Sequence, residues 1–207
     1  MQLIRIVALL IALSTPLYAQ DTVRVRHANY QSVFSRSLRY PILVEWSTTR
    51  SELQCSIAAK RTDKFIPDPK LQNDSDIHAD YFRSGFDRGH LAPAGDSRCN
   101  QRDMDESFYY TNMAPQYPGL NRGQWKALED WTRMLAVEND SVHVRAGCVG
   151  NMRRINRVAV PTHCWKVIKV KNEIEAYVFA NVPQRSASLN MHKVPLDSIR
   201  RLTGFTF

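Results

Sequence analysis

The 207 residues are 43% hydrophobic and 23% charged, with a formal net charge of +8. That balance describes one globular domain long enough for a sizeable core, and the chain carries no internal repeat, low-complexity tract or linker. The basic excess creates a positive potential that draws in polyanions, among them nucleic acid, anionic lipid and acidic polysaccharide.

At the N-terminus Arg5 precedes the apolar run Ile6–Leu13, and Pro16-Leu17-Tyr18-Ala19 follows with a helix break and a small residue. The run falls short of the ~20 residues that span a bilayer. Its basic start, apolar middle and small-residue exit predict a secretory signal over residues 1–19, cut after Ala19. The competing reading is an uncleaved membrane anchor. Residues 20–207 would then be the mature domain, periplasmic or secreted and with no stable membrane association. Without Arg5 the +8 charge becomes +7.

In an oxidising compartment the four cysteines Cys55, Cys99, Cys148 and Cys164 read as disulfides, with three arithmetically allowed pairings. Cys148 and Cys164 fall in two strand-like segments joined by a short excursion, so Cys148–Cys164 with Cys55–Cys99 is the favoured set. A zinc site competes poorly, since no two cysteines have a short ligand-like spacing.

Along the mature chain, residues 21–40 mix basic and polar types and read as an irregular lead-in. Tyr40–Trp46 is a β-rich run followed by a turn-like Ser47-Thr48-Thr49-Arg50, and Gln54–Ala59 is further extended chain. Residues 65–76 have the composition of a long loop, where function often sits. The loop leads into Phe86-Asp87-Arg88-Gly89-His90-Leu91-Ala92-Pro93, whose Gly and Pro disfavour a helix and predict a strand or loop edge. Ser107–Asn112 reads as an aromatic strand, and Met113–Gly119, with two prolines, as irregular chain.

A helix is predicted from Asn121, whose side chain can cap or project freely there, with a buried stripe of Trp125, Leu128, Thr132 and Leu135, ending near Glu138–Asp140. Ser141–Gly147, Trp165–Val170 and Glu175–Ala180 read as strands. Pro195–Leu202 reads as a short helix closed by Gly204. The fold class is therefore α+β.

The imidazole of His90 is a candidate general base, because its unperturbed pKa of ~6.5 leaves much of it neutral at physiological pH. Asn121 and Glu129 lie eight residues apart on the predicted helix, roughly 80° apart around its axis, so both can border one side. A polar Asn and a Glu beside a buried stripe can hold a hydrated hard cation such as Mg²⁺, which keeps several waters.

Asp87-Arg88-Gly89-His90, Thr111-Asn112-Met113-Ala114-Pro115-Gln116 and Leu120-Asn121-Arg122-Gly123-Gln124-Trp125, with Leu128-Glu129 following, resemble the DNA/RNA non-specific endonuclease family. The similarity includes Asp80-Tyr81, Ser84-Gly85-Phe86, Val160-Pro161-Thr162-His163 and Val194–Ile199, and so covers almost the whole mature chain. The resemblance implies a ββα-metal (His-Me finger) nuclease fold, with a central, mostly antiparallel sheet flanked by helices. It implies hydrolysis of DNA and RNA phosphodiesters with little sequence preference, giving 5′-phosphate and 3′-hydroxyl ends. By the same resemblance His90 is the general base, Asn121 the one direct protein ligand of Mg²⁺ (or Mn²⁺), and Glu129 a group acting on that metal through water.

Arg88 would contact substrate or support the site, and Arg61 would stabilise the transition state. DNA and RNA are the implied partners, through their phosphate backbones, and a homodimer is compatible with the reading. The alternative is a basic nucleic-acid- or polyanion-binding protein of the same fold without catalysis.

Asp87 reads as a residue that orients its loop, His143 and His163 as packed or surface imidazoles, and Trp125, Trp131 and Trp165 as core. Tyr117 is open to base stacking or a core role. Arg153, Arg154 and Arg157 are open to phosphate contact or a solvated cluster. The chain departs from the family in having Gly147-Cys148 where Gly-Pro is common, and in a short Val149–Val158 segment. Both bear on substrate preference.

Overall fold

The computed structural model describes residues 21–183 and 188–207, so the signal-peptide reading of residues 1–19 lies outside the described residues. Three antiparallel strands open the chain: β1 (Thr22–Arg26), β2 (Tyr30–Ser35) and β3 (Tyr40–Thr49). Two helical turns, α1 (Arg50–Leu53) and α2 (Gln72–Ser75), precede the short strand β4 (Asp87–His90). After α3 (Gln101–Glu106) comes β5 (Met113–Gln116), antiparallel to β4. The turn α4 (Pro118–Leu120) then leads into the long helix α5 (Lys126–Asn139). The remainder comprises β6 (Ser141–Val149), the hairpin β7 (Arg153–Ile155) and β8 (Val158–Val160), then β9 (His163–Val170), β10 (Glu173–Ala180) and the helix α6 (Leu196–Thr203).

One six-stranded antiparallel sheet runs in the order β1-β2-β3-β6-β9-β10. Successive side chains of a strand point to opposite faces, so each strand feeds two layers. On one face Val44, Trp46, Val144 and Ile168 pack with Trp125, Leu128 and Ala136 of the α5 region. On the other, Trp165, Val167 and Ala176 pack with Ile199 of α6. Gly204 closes α6 at φ 73°, a left-handed conformation that favours glycine. The disulfides are Cys55–Cys99 and Cys148–Cys164, the favoured set. Among the described residues no helix is long and apolar enough to cross a membrane.

Several local expectations need correction. Residues 21–40 are not an irregular lead-in, because Val23 and Val25 alternate with Arg24 and Arg26 on an edge strand with one solvated side. The supposed turn at Ser47–Thr49 continues β3, where Thr48 is buried and its hydroxyl donates to Asp96. Gln54–Ala59 forms no strand; Cys55 and Ala59 attach to Cys99 and Arg98 instead.

Ser107–Asn112 is not a strand either. Its aromatic residues signal burial, and Tyr110–Asn112 is a 3₁₀ turn. The strand lies immediately after it, at Met113–Gln116, where Pro115 is tolerated in a two-stranded ladder. The long helix does not start at Asn121: that residue ends α4 and opens a wide turn, Asn121–Trp125, where Gly123 leaves helical geometry before α5 begins, and its side chain projects to Asp87 instead of capping α5.

Candidate active site

β4 and the start of the long helix are bolted together. The carbonyl of His90 accepts from the Trp125 indole at 2.9 Å, and the Asp87 carboxylate accepts from the Asn121 amide nitrogen at 2.9 Å. Asp87 also takes two bonds from Arg122, at 2.8 and 2.7 Å. Such a paired fork fixes orientation as well as distance. Gly89 allows this strand to lie close on β5, since a Cβ there would run into the Gln116 side chain. Asn112, fully buried, holds the chain just past the histidine by bonding both backbone groups of Ala92.

These ties deliver His90, Asn121 and Glu129 to one cleft of about 360 Å³, together with Arg61, Arg122, Lys126 and Arg133. The imidazole stands against the edge of Phe108 at 4.9 Å and near Phe65 at 5.8 Å, and its Nε2 is buried without a hydrogen-bond partner. Burial, reinforced by the charge of Arg61, pushes its pKa down to about 3. At neutral pH this histidine is therefore uncharged, the form that can accept a proton.

Beneath Glu129 lies a group of charges that sequence reasoning missed. Lys166 is fully buried on β9, with its ammonium 4.3 Å from the Trp125 ring, 5.6 Å from the Trp46 ring and without a hydrogen-bond partner. Asp96 accepts from Trp46, Thr48 and Arg133 at 3.0, 2.9 and 3.1 Å. Burial pushes the Glu129 carboxyl up to about 7, against the pull of Lys166 and Arg133, while Asp96 adds to the rise. Burial likewise lowers Lys166, opposed by Glu129 and Asp96. Arg133, four residues after Glu129, was legible from helical spacing. Lys166 and Asp96 carried no local signal.

The two arginines singled out in the sequence part company. Arg61 lines the cleft, lies 5.0 Å over the Phe108 ring and pairs with the exposed Asp63 at 2.7 Å. Arg88 does not line it. Its guanidinium sits over Phe65 and Tyr81 at 5.2 and 5.4 Å, and its Nε donates to the Tyr110 hydroxyl at 3.1 Å.

Of the remaining candidates, His143 bonds Ser47 and Glu45, His163 bonds Thr162, and Trp125 and Trp165 are core. Trp131 is only partly buried and donates to Glu175. Tyr117 packs on Phe86 at 4.6 Å. In the arginine cluster Arg157 pairs with Asp80, and Arg154 donates to the carbonyls of Ser37 and Arg157. Arg153 lies over Phe86.

The donor set suits a hydrated hard cation. The Asn121 amide nitrogen is committed to Asp87, which leaves its oxygen as the free acceptor, with Glu129 in the same cleft. Among the described residues no cluster of three His, Cys, Asp or Glu side chains could cage a metal, so an ion here would keep most of its water, as Mg²⁺ does. Four cationic side chains on the cleft wall complement phosphate oxygens.

The sequence model of a family described as DNA/RNA non-specific endonuclease matches residues 7–207. "Nuclease 1, mitochondrial" of Schizosaccharomyces pombe is 32% identical over 207 aligned residues, covering 87% of this chain and 64% of that protein. "Endonuclease G, mitochondrial" of Homo sapiens is 39% identical over 150 residues, covering 63% of this chain and 50% of that protein. The matches thus take in between 50% and 64% of the length of these curated relatives. Among solved structures, that described as "Crystal structure of the EndoG/EndoGI complex: Mechanism of EndoG inhibition" superposes with a TM-score of 0.81 at 31% identity, over 89% of this chain and 84% of that one.

Proposed function

The chain belongs to the DNA/RNA non-specific endonuclease family, and on that premise we propose that it is an exported, metal-dependent endonuclease that hydrolyses DNA and RNA phosphodiesters with little sequence preference. The observation that carries this reading is the convergence of an uncharged His90, the free oxygen of Asn121 and the carboxyl of Glu129 on one arginine-walled cleft. His90 takes a proton from the attacking water as its oxygen bonds to phosphorus. The phosphorus–O3′ bond breaks, leaving a 5′-phosphate and a 3′ oxygen that is protonated in turn. Arg61 meets the charge that gathers on the nonbridging oxygens.

Asn121 would hold a Mg²⁺ or Mn²⁺ ion directly and Glu129 would hold one of its waters. When bound, the ion would neutralise phosphate charge and stabilise the leaving oxygen. Arg88 acts as a positioning residue, clasped between Phe65 and Tyr81 behind the histidine. Contacts confined to phosphate and sugar carry no direct sequence information, which fits substrates of both sugars. Two disulfides accord with export, while several relatives carry mitochondrial names.

The deciding experiment is plasmid digestion by the purified mature chain with Mg²⁺ and with EDTA. Cleavage is expected in the first and not in the second. His90→Ala should lower the rate by about 10²–10⁴-fold, the usual contribution of a general base, while the variant still binds DNA. Plasmid left intact in Mg²⁺ overturns the proposal in favour of a binding protein, and plasmid cut equally well in EDTA overturns its metal dependence.

A further inference from the structure

Outside the cleft lining, several arginines lie against aromatic rings rather than against acids. Arg88 covers Phe65 and Tyr81, Arg83 covers Phe82 at 5.1 Å, and Arg153 covers Phe86 at 4.9 Å. Neither Arg83 nor Arg153 has a carboxylate partner among the described residues, whereas Arg122, Arg133 and Arg157 are each ion-paired.

Two of these rings, Phe65 and Phe86, adjoin the candidate site. Phe65 neighbours His90, and Phe86 packs on Tyr117, whose carbonyl accepts from the backbone of Asn121. Phe82 is the exposed member, with 71% of its surface in water. Its neighbour Arg83 adopts φ 52°, a left-handed conformation costly for an arginine, which persists only where surrounding structure enforces it.

An exposed ring with a guanidinium laid over it presents a flat face bordered by positive charge, the pairing with which single-stranded nucleic acids are gripped. Bases within a duplex are stacked on one another and offer no such face. We propose that Phe82, with Arg83 laid over it, is a stacking platform for an unpaired base of a single-stranded segment leading out of the cleft. The ring takes the base, and the Arg83 guanidinium takes a neighbouring phosphate. This assignment rests on the nuclease reading for what occupies the cleft, and adds to it a preference for unpaired strand.

The test uses the full mature chain in a His90→Ala background, in EDTA, with fluorescence anisotropy of a labelled oligothymidylate and of a labelled hairpin duplex. Phe82→Ala should weaken binding of the single strand by about 10-fold, within the range that one stacked base supplies. It should leave the duplex unchanged, and Phe82→Trp should restore the loss. Arg83→Gln should weaken both probes and lower the slope of log affinity against log salt by about one phosphate's worth.

The platform is overturned if Phe82→Ala leaves single-strand binding unchanged, or weakens both probes alike. Binding is read without metal or turnover, so the two readings fail separately. A chain that never cuts plasmid yet loses single-strand affinity on Phe82→Ala sinks the nuclease reading alone. A chain that cuts plasmid but binds normally without Phe82 sinks only the platform.

Discussion

Two regions of the molecule use the same kind of side chain for opposite ends. On the α5 side, Arg122 is held by Asp87 and Arg133 by Asp96, and Lys166 lies buried near Glu129 and Asp96. Elsewhere Arg61, Arg83 and Arg153 rest on aromatic rings, and among the described residues only Arg61 of these has an acid, the exposed Asp63. A cation paired with a buried carboxylate is spent on geometry, because neither partner can leave without stranding the other. A cation stacked on a ring keeps its hydrogen-bond donors and most of its charge for a ligand. The difference separates framework from substrate surface without reference to where each residue falls in the chain.

The sharpest way to break that comparison is Asp96→Ala. It removes the acceptor for the Trp46 indole, the Thr48 hydroxyl and Arg133, and takes one negative charge from around Lys166. Breaking a buried charge pair from one side costs about 3–5 kcal/mol, so a large fall in urea midpoint is expected, with activity lost alongside it. The matching change to a ring-stacked arginine, Arg83→Gln, should leave the midpoint where it was. Equal losses from the two would dissolve the distinction.

The disulfides divide the same way. Cys148–Cys164 lies wholly buried between β6 and β9, while Cys55–Cys99 is half-exposed beside the segment that carries Arg61. That segment is also pinned to the start of α3 and the chain just before it by bonds from Ala59 to Arg98 and between Lys60 and Gln101. Replacing both Cys55 and Cys99 by Ala should cost about 2–4 kcal/mol of stability, the usual worth of such a cross-link. If the clamp also aims Arg61, kcat measured well below the melting temperature should fall as well, which loss of stability alone would not produce.

How much of this was legible in the residues depends on how far each signal had to reach. Helical spacing did not place Asn121 with Glu129, since a turn broken at Gly123 separates them; Asp87-Arg88-Gly89-His90 could be read as a strand edge from Gly and Pro alone, and Trp125 with Leu128 as a buried stripe from their spacing. Both are local properties. The resemblance supplied the ββα architecture. Lys166 was invisible because its neighbours Trp165, Val167 and Ile168 make an ordinary strand, and nothing local says that a lysine there meets Glu129 across the core. The first two strands were lost because Arg24 and Arg26 look irregular unless one face of an edge strand is known to be wet. Arg88 could be found but not aimed, since the rings that clasp it come from Phe65 and Tyr81 in the preceding loop.

Glu129 gives a smaller effect with a definite sign. Burial raises its carboxyl to about 7, so it is protonated below that value and a carboxylate above it. Only the carboxylate accepts bonds from metal-bound water with both oxygens. Metal affinity, measured by Mn²⁺ titration, should therefore rise as pH passes upward through about 7, and Glu129→Gln should flatten the rise. His90, held down at about 3, is already uncharged throughout that range and should contribute none of it. A rise that survives Glu129→Gln would move its origin elsewhere.

Salt provides the finest discrimination, because it reads only charge that is free to meet phosphate. Each phosphate neutralised by the protein releases counterions, so log affinity for duplex DNA falls with log salt by about 0.9 per contact. An arginine already neutralised by a protein carboxylate releases few counterions when DNA arrives, since its own partner has taken that place. Arg153→Gln should therefore flatten the slope by nearly one contact. Arg157→Gln, which loses a guanidinium paired with the buried Asp80, should leave the slope close to that of the parent. The two residues are four apart on one hairpin and differ in partner rather than in charge. A like change in slope for both would mean that carboxylate pairing does not separate framework from substrate surface here, and that the basic side chains act together as one diffuse field.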